Sequence, residues 1–179
     1  RSDPERFARE WARLTFPEAA DQVADILMAS APAYEKYVAP LGLSFMVNPH
    51  THYGPCPGGY EFALWGTYHR ANCKAVGMDR SSSGTGFTSQ YPEGLKLRYD
   101  DPATCPEQLL LFFHRLPYDY RLKDGRSLLQ RIYDDHFEGA AEAEALREAW
   151  LALKGRMPEA THARVLRRFD RQMENAREW

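Results

Sequence analysis

Glu61 and Asp79 are the only carboxylates in the stretch Pro49–Tyr91, PHTHYGPCPGGYEFALWGTYHRANCKAVGMDRSSSGTGFTSQY. A pair of acids is what hydrolysis of a glycosidic bond requires, one to donate a proton and one to activate water. Two acids in one loop are also commonplace. Pairing with Arg70 and Arg80 of the same loop is the simpler expectation, because a buried carboxylate is normally matched by a cation. The stretch also collects His50, His52, Cys56, His69 and Cys73, donor types that zinc accepts. Structural zinc sites use tight, paired spacings and these are irregular. The histidines are therefore read as hydrogen-bonding within a packed loop, and neither a metal nor a cofactor is expected.

Trp65, Tyr60 and Tyr68 are the most informative side chains of the stretch. An indole or phenol on glycine-rich backbone offers a flat apolar face with a polar edge, which suits a sugar ring. The competing reading makes them anchors that pin the loop to a core. The segment from Ser81 to Gly86, SSSGTG, has the composition of a phosphate cradle but lacks the lysine and spacing of a P-loop. No GxSxG nucleophile elbow occurs in the chain.

These residues must be held by the rest of the chain, because their own stretch has neither a helical nor a strand period. It contains seven of the 12 glycines, with Tyr53, Phe62, Phe87 and Tyr91 adding to its aromatic content. Such backbone turns sharply or approaches something closely, and its aromatics supply too much drive for burial to leave it disordered. The whole chain has 179 residues, is 44% hydrophobic and carries a net charge of -2. That fits one soluble domain with a sizeable core, and it offers no basic field for nucleic acid and no apolar run that spans a bilayer. Three cysteines without CxxC spacing point to a reduced compartment, with a Cys56–Cys73 disulfide as the alternative. The opening RSDPERFAREW reads as a cut edge or processed start and shows no signal or transit pattern, so the location is unknown, with the bacterial cytoplasm slightly favoured over the periplasm or the outside.

Helical signals surround the stretch. Ser2 and Glu5 have capping-box spacing around Pro4, with Phe7, Trp11 and Leu14 recurring behind them. A second helix follows Thr15, Pro17 and Glu18 and carries Val23, Ile26, Leu27, Tyr34 and Tyr37, with a kink or break expected at Pro32 and an end at Pro40 and Gly42. Leu43–Val47 is a short apolar run. Residues 91–104 read as a polar connector leading to a capping box of Thr104 and Glu107, and the LLLFFHRL that follows reads as a central helix apolar on nearly every side. After the Asp124-Gly125 turn come a helix with a stripe of Leu128, Leu129, Ile132, Tyr133, His136 and Phe137 that stops at Gly139, one with Leu146, Ala149, Trp150 and Leu153 that ends at Gly155, and one from Pro158 to Trp179 with Leu166, Phe169, Met173 and Ala176 inward. No internal repeat is visible. The expected fold is mainly α, about six helices packed around the irregular insert, with a small β-hairpin within it.

The insert, together with FAREWARLTF, CPEQLLLFFHRLPYDY, SLLQRIYDDHFEG and the closing ENAREW, resembles the C-terminal domain of the α-glucuronidases of glycoside hydrolase family 67. The family's signature there reads approximately HYGP, GYE, WGTYHRAD, GVDR and GTG. The resemblance covers essentially the whole chain and treats residues 1–179 as a single domain. It implies an inverting glycoside hydrolase that removes glucuronic or 4-O-methylglucuronic acid from xylooligosaccharides, with its catalytic carboxylates on a (β/α)8 barrel upstream of this domain. A barrel takes about 250 residues of alternating strands and helices, which this chain lacks, so no residue here inherits the acid or the base. The resemblance further implies a dimerising domain whose loop reaches the active-site mouth. Trp65 matches the substrate-contacting tryptophan there, Tyr60 and Tyr68 flank it, and Arg70 is suited to a uronate carboxylate. The chain departs from the pattern at Asn72, where aspartate is usual, at Cys56, and from Cys73 to Ala75. Two other functions stand beside that of an α-glucuronidase C-terminal domain: a carbohydrate-binding module for glucuronoxylan, free-standing or grafted, and a purely structural dimerisation domain.

Overall fold

The computed structural model describes residues 3–43 and 72–179. Its contacts divide the chain into two compact units, one of Arg1–Tyr37 with Phe137–Trp179 and one of Val38–His136.

Helix α1, Pro4–Thr15, begins the first unit. Asp3 is its N-cap, accepting the Arg6 N–H at 3.2 Å, and Pro4 occupies the first turn, where a missing N–H costs nothing. Ser2, the expected cap, lies outside the described residues. The helix buries Ala8 and Ala12, while Phe7, Trp11 and Leu14 are exposed, so its apolar stripe is not its inner face. Helix α2, Ala20–Val38, runs through Pro32 where a kink or break is expected from the sequence. A proline inside a helix costs about 3 kcal/mol, whereas each large apolar side chain that becomes buried contributes about 1.5–3. Val23, Ile26, Ala33 and Tyr37 are buried on either side of the exposed proline, and that packing outweighs the lost hydrogen bond.

The second surprise is α5, Leu128–Leu151, a single helix where two were expected. Gly139, read as a stop, lies inside it. Interior glycine costs about 1 kcal/mol relative to alanine, and the alanine-rich AAEAEAL that follows is strong enough to carry the helix through. The reason for a glycine there is close approach to α2. A Cβ at 139 would lie 2.9 Å from both Lys36 Cβ and Tyr37 N, and 3.1 Å from Ala33 O. Lys36 seals the same contact by reaching Glu138 at 3.3 Å and bonding Glu142. Helix α6, Glu159–Glu178, buries His162, Phe169 and Ala176. The core of this unit joins Phe16, Val23, Ile26, Leu146, Trp150, Leu153 and Phe169.

In the second unit a 3-10 turn at Pro40–Gly42 precedes the undescribed residues, and strand β1, Ala75–Val76, follows them. β1 pairs antiparallel with β2, Leu116–Pro117, in the register Ala75 with Pro117 and Val76 with Leu116. The small sheet thus joins the end of the insert to a distant segment, and its two strands are not a hairpin within the insert. Residues 91–104, read as a connector, contain α3, Glu93–Tyr99. It buries none of its residues, and Leu95 and Leu97 are exposed, so no apolar period announces it. Thr104 does not start a helix. Its hydroxyl bonds the carbonyls of Leu97 at 2.9 Å and of Arg98 and Asp101 at 3.2 Å, at the C-terminal end of α3, while Glu107 accepts the Lys123 N–H at 3.0 Å.

The central helix expected from LLLFFHRL is only one turn, α4, Leu110–Phe113, preceded by a 3-10 turn at Glu107–Leu109. Its burial is as expected: Leu110, Leu111, Phe113, His114 and Leu116 are all buried. An apolar run fixes burial without fixing helix length, because the alternation that distinguishes helix from strand is missing. Asp124-Gly125 makes the expected turn, with Gly125 at φ 85° and Leu122 N–H bonded to Arg126 O at 3.0 Å. The second core joins Leu41, Leu43, Val76, Cys105, Leu110, Leu111, Phe113 and Leu128. The fold is mainly α, with six α-helices and a two-stranded antiparallel sheet among the described residues.

Gly139→Ala tests the helix crossing. At an exposed site the change would stabilise α5 by about 1 kcal/mol, but overpacking against backbone costs about 1–3. A net loss is expected in chemical denaturation, and a gain would show that α2 and α5 do not cross so closely.

Candidate functional site

The described end of the insert, residues 72–91, is built around the short helix α4. A helix leaves its last carbonyls without intrahelical partners, and in this one-turn helix only Leu110 O is answered by the chain just beyond, from His114 N–H at 2.8 Å. Residues 78–80 fill that need. Met78 N–H reaches Leu111 O at 3.4 Å, Arg80 N–H reaches Phe113 O at 2.8 Å, and the Arg80 guanidinium donates to Phe112 O. The guanidinium also lies 4.2 Å from the centroid of the Phe112 ring, a cation–π contact made at a side chain only 8% exposed. Gly77 makes the approach possible. It has φ 93°, and a Cβ there would fall 2.2 Å from His114 O.

Asp79, one of the two carboxylates singled out, does not form the ion pair with Arg80 that its sequence suggests. It accepts the Ser81 N–H at 3.0 Å and the Ser81 hydroxyl at 2.5 Å, while its carbonyl takes the Thr85 N–H at 3.0 Å. Gly84 and Gly86 both donate to Ser81 O at 3.1 and 2.9 Å, and the Ser82 N–H goes to Asp100 at 2.6 Å, so five of the six amides of SSSGTG are already bonded. A segment with so few N–H groups to offer does not cradle a phosphate. Asn72, where the family pattern has aspartate, accepts the N–H groups of Lys74 and Ala75 at 2.9 and 3.0 Å through its side-chain oxygen. A carboxylate oxygen would accept the same two bonds, so the substitution keeps this turn.

Asp100 is the hub that the sequence does not reveal, since Asp-Asp-Pro after Tyr99 reads simply as a turn. It receives the Ser82 N–H at 2.6 Å, the Ser82 hydroxyl at 2.5 Å and the Thr88 hydroxyl. Bonds from the Ser82 hydroxyl, the Thr88 hydroxyl and the Ser82 amide hold its carboxyl at about 2. Phe87 and Tyr91 are packing residues: their rings are 5.7 Å apart, and Tyr91 continues to Tyr99 at 6.0 Å and Phe113 at 6.3 Å. His114 is 4% exposed, with an Nε2 that has no hydrogen-bond partner among the described residues. Burial pushes its imidazole below the ordinary histidine range, with Asp79 pulling the other way.

Trp65, Tyr60, Tyr68 and Arg70 lie outside the described residues, as do Glu61, His50, His52, Cys56 and His69. Cys73 is an exposed free thiol, and Cys105 is buried, its thiol pushed up to about 11 chiefly by that burial. Such a thiol is a poor nucleophile. Among the described residues no three His, Cys, Asp or Glu side chains are grouped to hold a metal ion, and no helix is long and apolar enough to cross a membrane.

The Asp100 hub predicts an acid limb of stability. A carboxyl held near 2 against 3.8 contributes fully above about pH 4 and loses that contribution as pH falls towards 2. Asp100→Asn should lower the Tm at pH 7 and flatten the decline between pH 4 and 2. Thermal melts across that range check it, and an unchanged slope counts against the hub.

Comparison with known proteins places the chain. The family described as Glycosyl hydrolase family 67 C-terminus matches residues 1–179. The chain is 36% identical over 184 residues to the alpha-glucuronidase of Hypocrea jecorina, an alignment that spans 100% of this chain and 22% of that protein. It is 40% identical over 158 residues to alpha-glucuronidase A of Aspergillus tubingensis, spanning 86% of this chain and 19% of that one. With alpha-glucuronidase A of Emericella nidulans the identity is 36% over 183 residues, 99% of this chain and 22% of the relative. The chain therefore spans about a fifth of the length of these relatives. Family match, identity and coverage agree, and this chain belongs to the C-terminal domain family of the glycosyl hydrolase family 67 α-glucuronidases.

Proposed function

We infer that residues 1–179 act as one domain that completes a larger α-glucuronidase, whose acid and base lie on a barrel elsewhere in the parent protein. The observation that carries this is the family match along the whole chain, to relatives about five times its length. The substrate is a xylooligosaccharide decorated with glucuronic or 4-O-methylglucuronic acid, and the domain brings the insert to the mouth of the active site. Trp65 stacks on sugar with Tyr60 and Tyr68 beside it, and Arg70 pairs with the uronate carboxylate. The described flanks of residues 44–71 support this role. Leu43 is 3% exposed with its N–H on Pro40 O at 3.0 Å, and residues 72–80 are tied down by the Asn72 turn and by α4. A loop held firmly at both ends loses less entropy when it orders on a ligand.

At about 25 cal/mol per Å2, a ring stacked on an indole contributes about 1–2 kcal/mol, which is roughly five- to thirtyfold in kcat/KM. Trp65→Ala in the parent enzyme should lose about that much on decorated xylooligosaccharides with the circular dichroism unchanged. Full activity in a folded variant would reject the stacking role, and early melting would make Trp65 a core anchor. The 179-residue chain alone should release no glucuronic acid.

A homodimer is the second element of the reading. By sequence, the helices after Thr104 carry more apolar surface than one small domain needs, notably LLLFFHRL and the Trp150 and Trp179 regions; Leu110, Leu111, Phe113 and Trp150 are buried, Trp179 is half-buried and Leu109 is exposed. More exposed apolar surface lies on α5, where Leu129, Tyr133 and Phe137 are 43, 57 and 74% exposed at successive i, i+4 positions. One helix face meeting its own copy across a two-fold axis is self-complementary by symmetry. Light scattering at high micromolar concentration should give a dimer mass that Tyr133→Glu with Phe137→Glu converts to a monomer. A wild-type monomer would reject this element.

A further inference from the structure

The first unit contains a cavity of about 250 Å3 that the glucuronidase reading does not use, walled by Trp11, Phe16, Trp150 and Phe169, with Thr161 and Arg164 also lining it. The four walls form a connected row of rings, with centroids 5.6 Å apart from Trp11 to Phe16, 6.4 Å from Phe16 to Trp150 and 6.0 Å from Trp150 to Phe169. Trp150 is fixed in place. Its indole N–H donates to His162 O at 3.1 Å, the His162 ring stacks on it at 6.0 Å, and His162 Nε2 is 3.0 Å from Trp150 O. With its only polar atom engaged, that indole offers the cavity apolar surface alone. Arg164 is exposed and has no ion pair or hydrogen bond among the described residues, and none of the residues lining the cavity is a carboxylate.

A dry cavity of 150 Å3 already accepts benzene, and ligand sites typically combine an apolar wall with a few polar groups. The geometry points to a binding site for a small aromatic carboxylate, its ring against the row of aromatic side chains and its anionic end on the Arg164 guanidinium. A planar guanidinium suits a carboxylate through two parallel hydrogen bonds. This site is independent of the sugar-binding role given to the insert. A uronic acid has the anion but lacks a flat apolar ring to fill the aromatic wall.

The test uses the 179-residue chain and trans-cinnamate, with cinnamyl alcohol and acetate as controls, followed by tryptophan fluorescence and by the Trp150 indole N–H resonance. Cinnamate should saturate with a Kd on the order of 1 mM or below, bind about fivefold or more tightly than the alcohol, and shift the Trp150 signal, while acetate does neither. Arg164→Gln, at an exposed position, should reduce cinnamate to the level of the alcohol, and Val165→Trp, at another residue lining the cavity, should fill it and abolish both. Equal affinity for acid and alcohol, unchanged affinity in Arg164→Gln, or no saturation at concentrations on the order of 10 mM would each overturn the proposal. So would an affinity that falls as protein concentration rises while the mass doubles, which would assign the cavity to a second copy of the chain.

Discussion

The carbonyls of a one-turn helix must be satisfied, and in the second unit most other features follow from that need. Leu111 and Phe113 are buried and Phe112 is half-buried, and an unpaired buried carbonyl costs about 1–3 kcal/mol. Met78 and Arg80 meet all three. For that, the chain must pass α4 at the closeness that Gly77 allows, and the strand pairing of Ala75 and Val76 with Leu116 and Pro117 extends the same line of contact. The serine-rich turn then folds back on Asp79, and Asp100 secures it from the far side. What looks in sequence like a loop with catalytic acids and a phosphate-like motif is, in this part, a clamp made of backbone bonds.

The first unit depends on a different economy. Its core is arranged around Trp150, whose ring contacts Phe16, Phe169 and His162 and whose N–H is bonded within the unit. Gly139 lets α2 and α5 lie nearly backbone to backbone, and the ion pairs of Lys36 close over that contact. Exposed pairs of this kind are worth less than about 1 kcal/mol each, so the crossing rests on packing rather than charge.

The sequence was most legible where apolar residues recur with one face. Leu146, Trp150, Leu153, Phe169 and Ala176 are buried as their spacing indicates. It misled where a local signal competes with tertiary contact. Pro32 and Gly139 are breakers by propensity, yet both lie within continuous helices because residues around them gain more from burial or close approach than the breaker loses. Thr104 and Glu107 have capping spacing but find partners elsewhere, since a spacing rule cannot see the carbonyls at the end of α3. α3 itself buries nothing and so leaves no period to read. For the site, Asp79 and Arg80 were visible as chemistry-bearing residues, but among the described residues their side chains bond the adjacent Ser81 and the distant Phe112, and only the former lay within reach of a local argument.

The Arg80 contact has a consequence for anyone who would move the insert to another scaffold. Its outgoing end is finished by atoms more than thirty residues downstream, the carbonyls of Leu111 to Phe113 and the face of Phe112. A lysine at position 80 would keep the charge and lose the flat donor that lies on the ring while bonding the carbonyl. Transplanted alone, the insert would carry its aromatic residues but arrive with one end untied. The portable cassette is the insert together with the turn that its Arg80 completes.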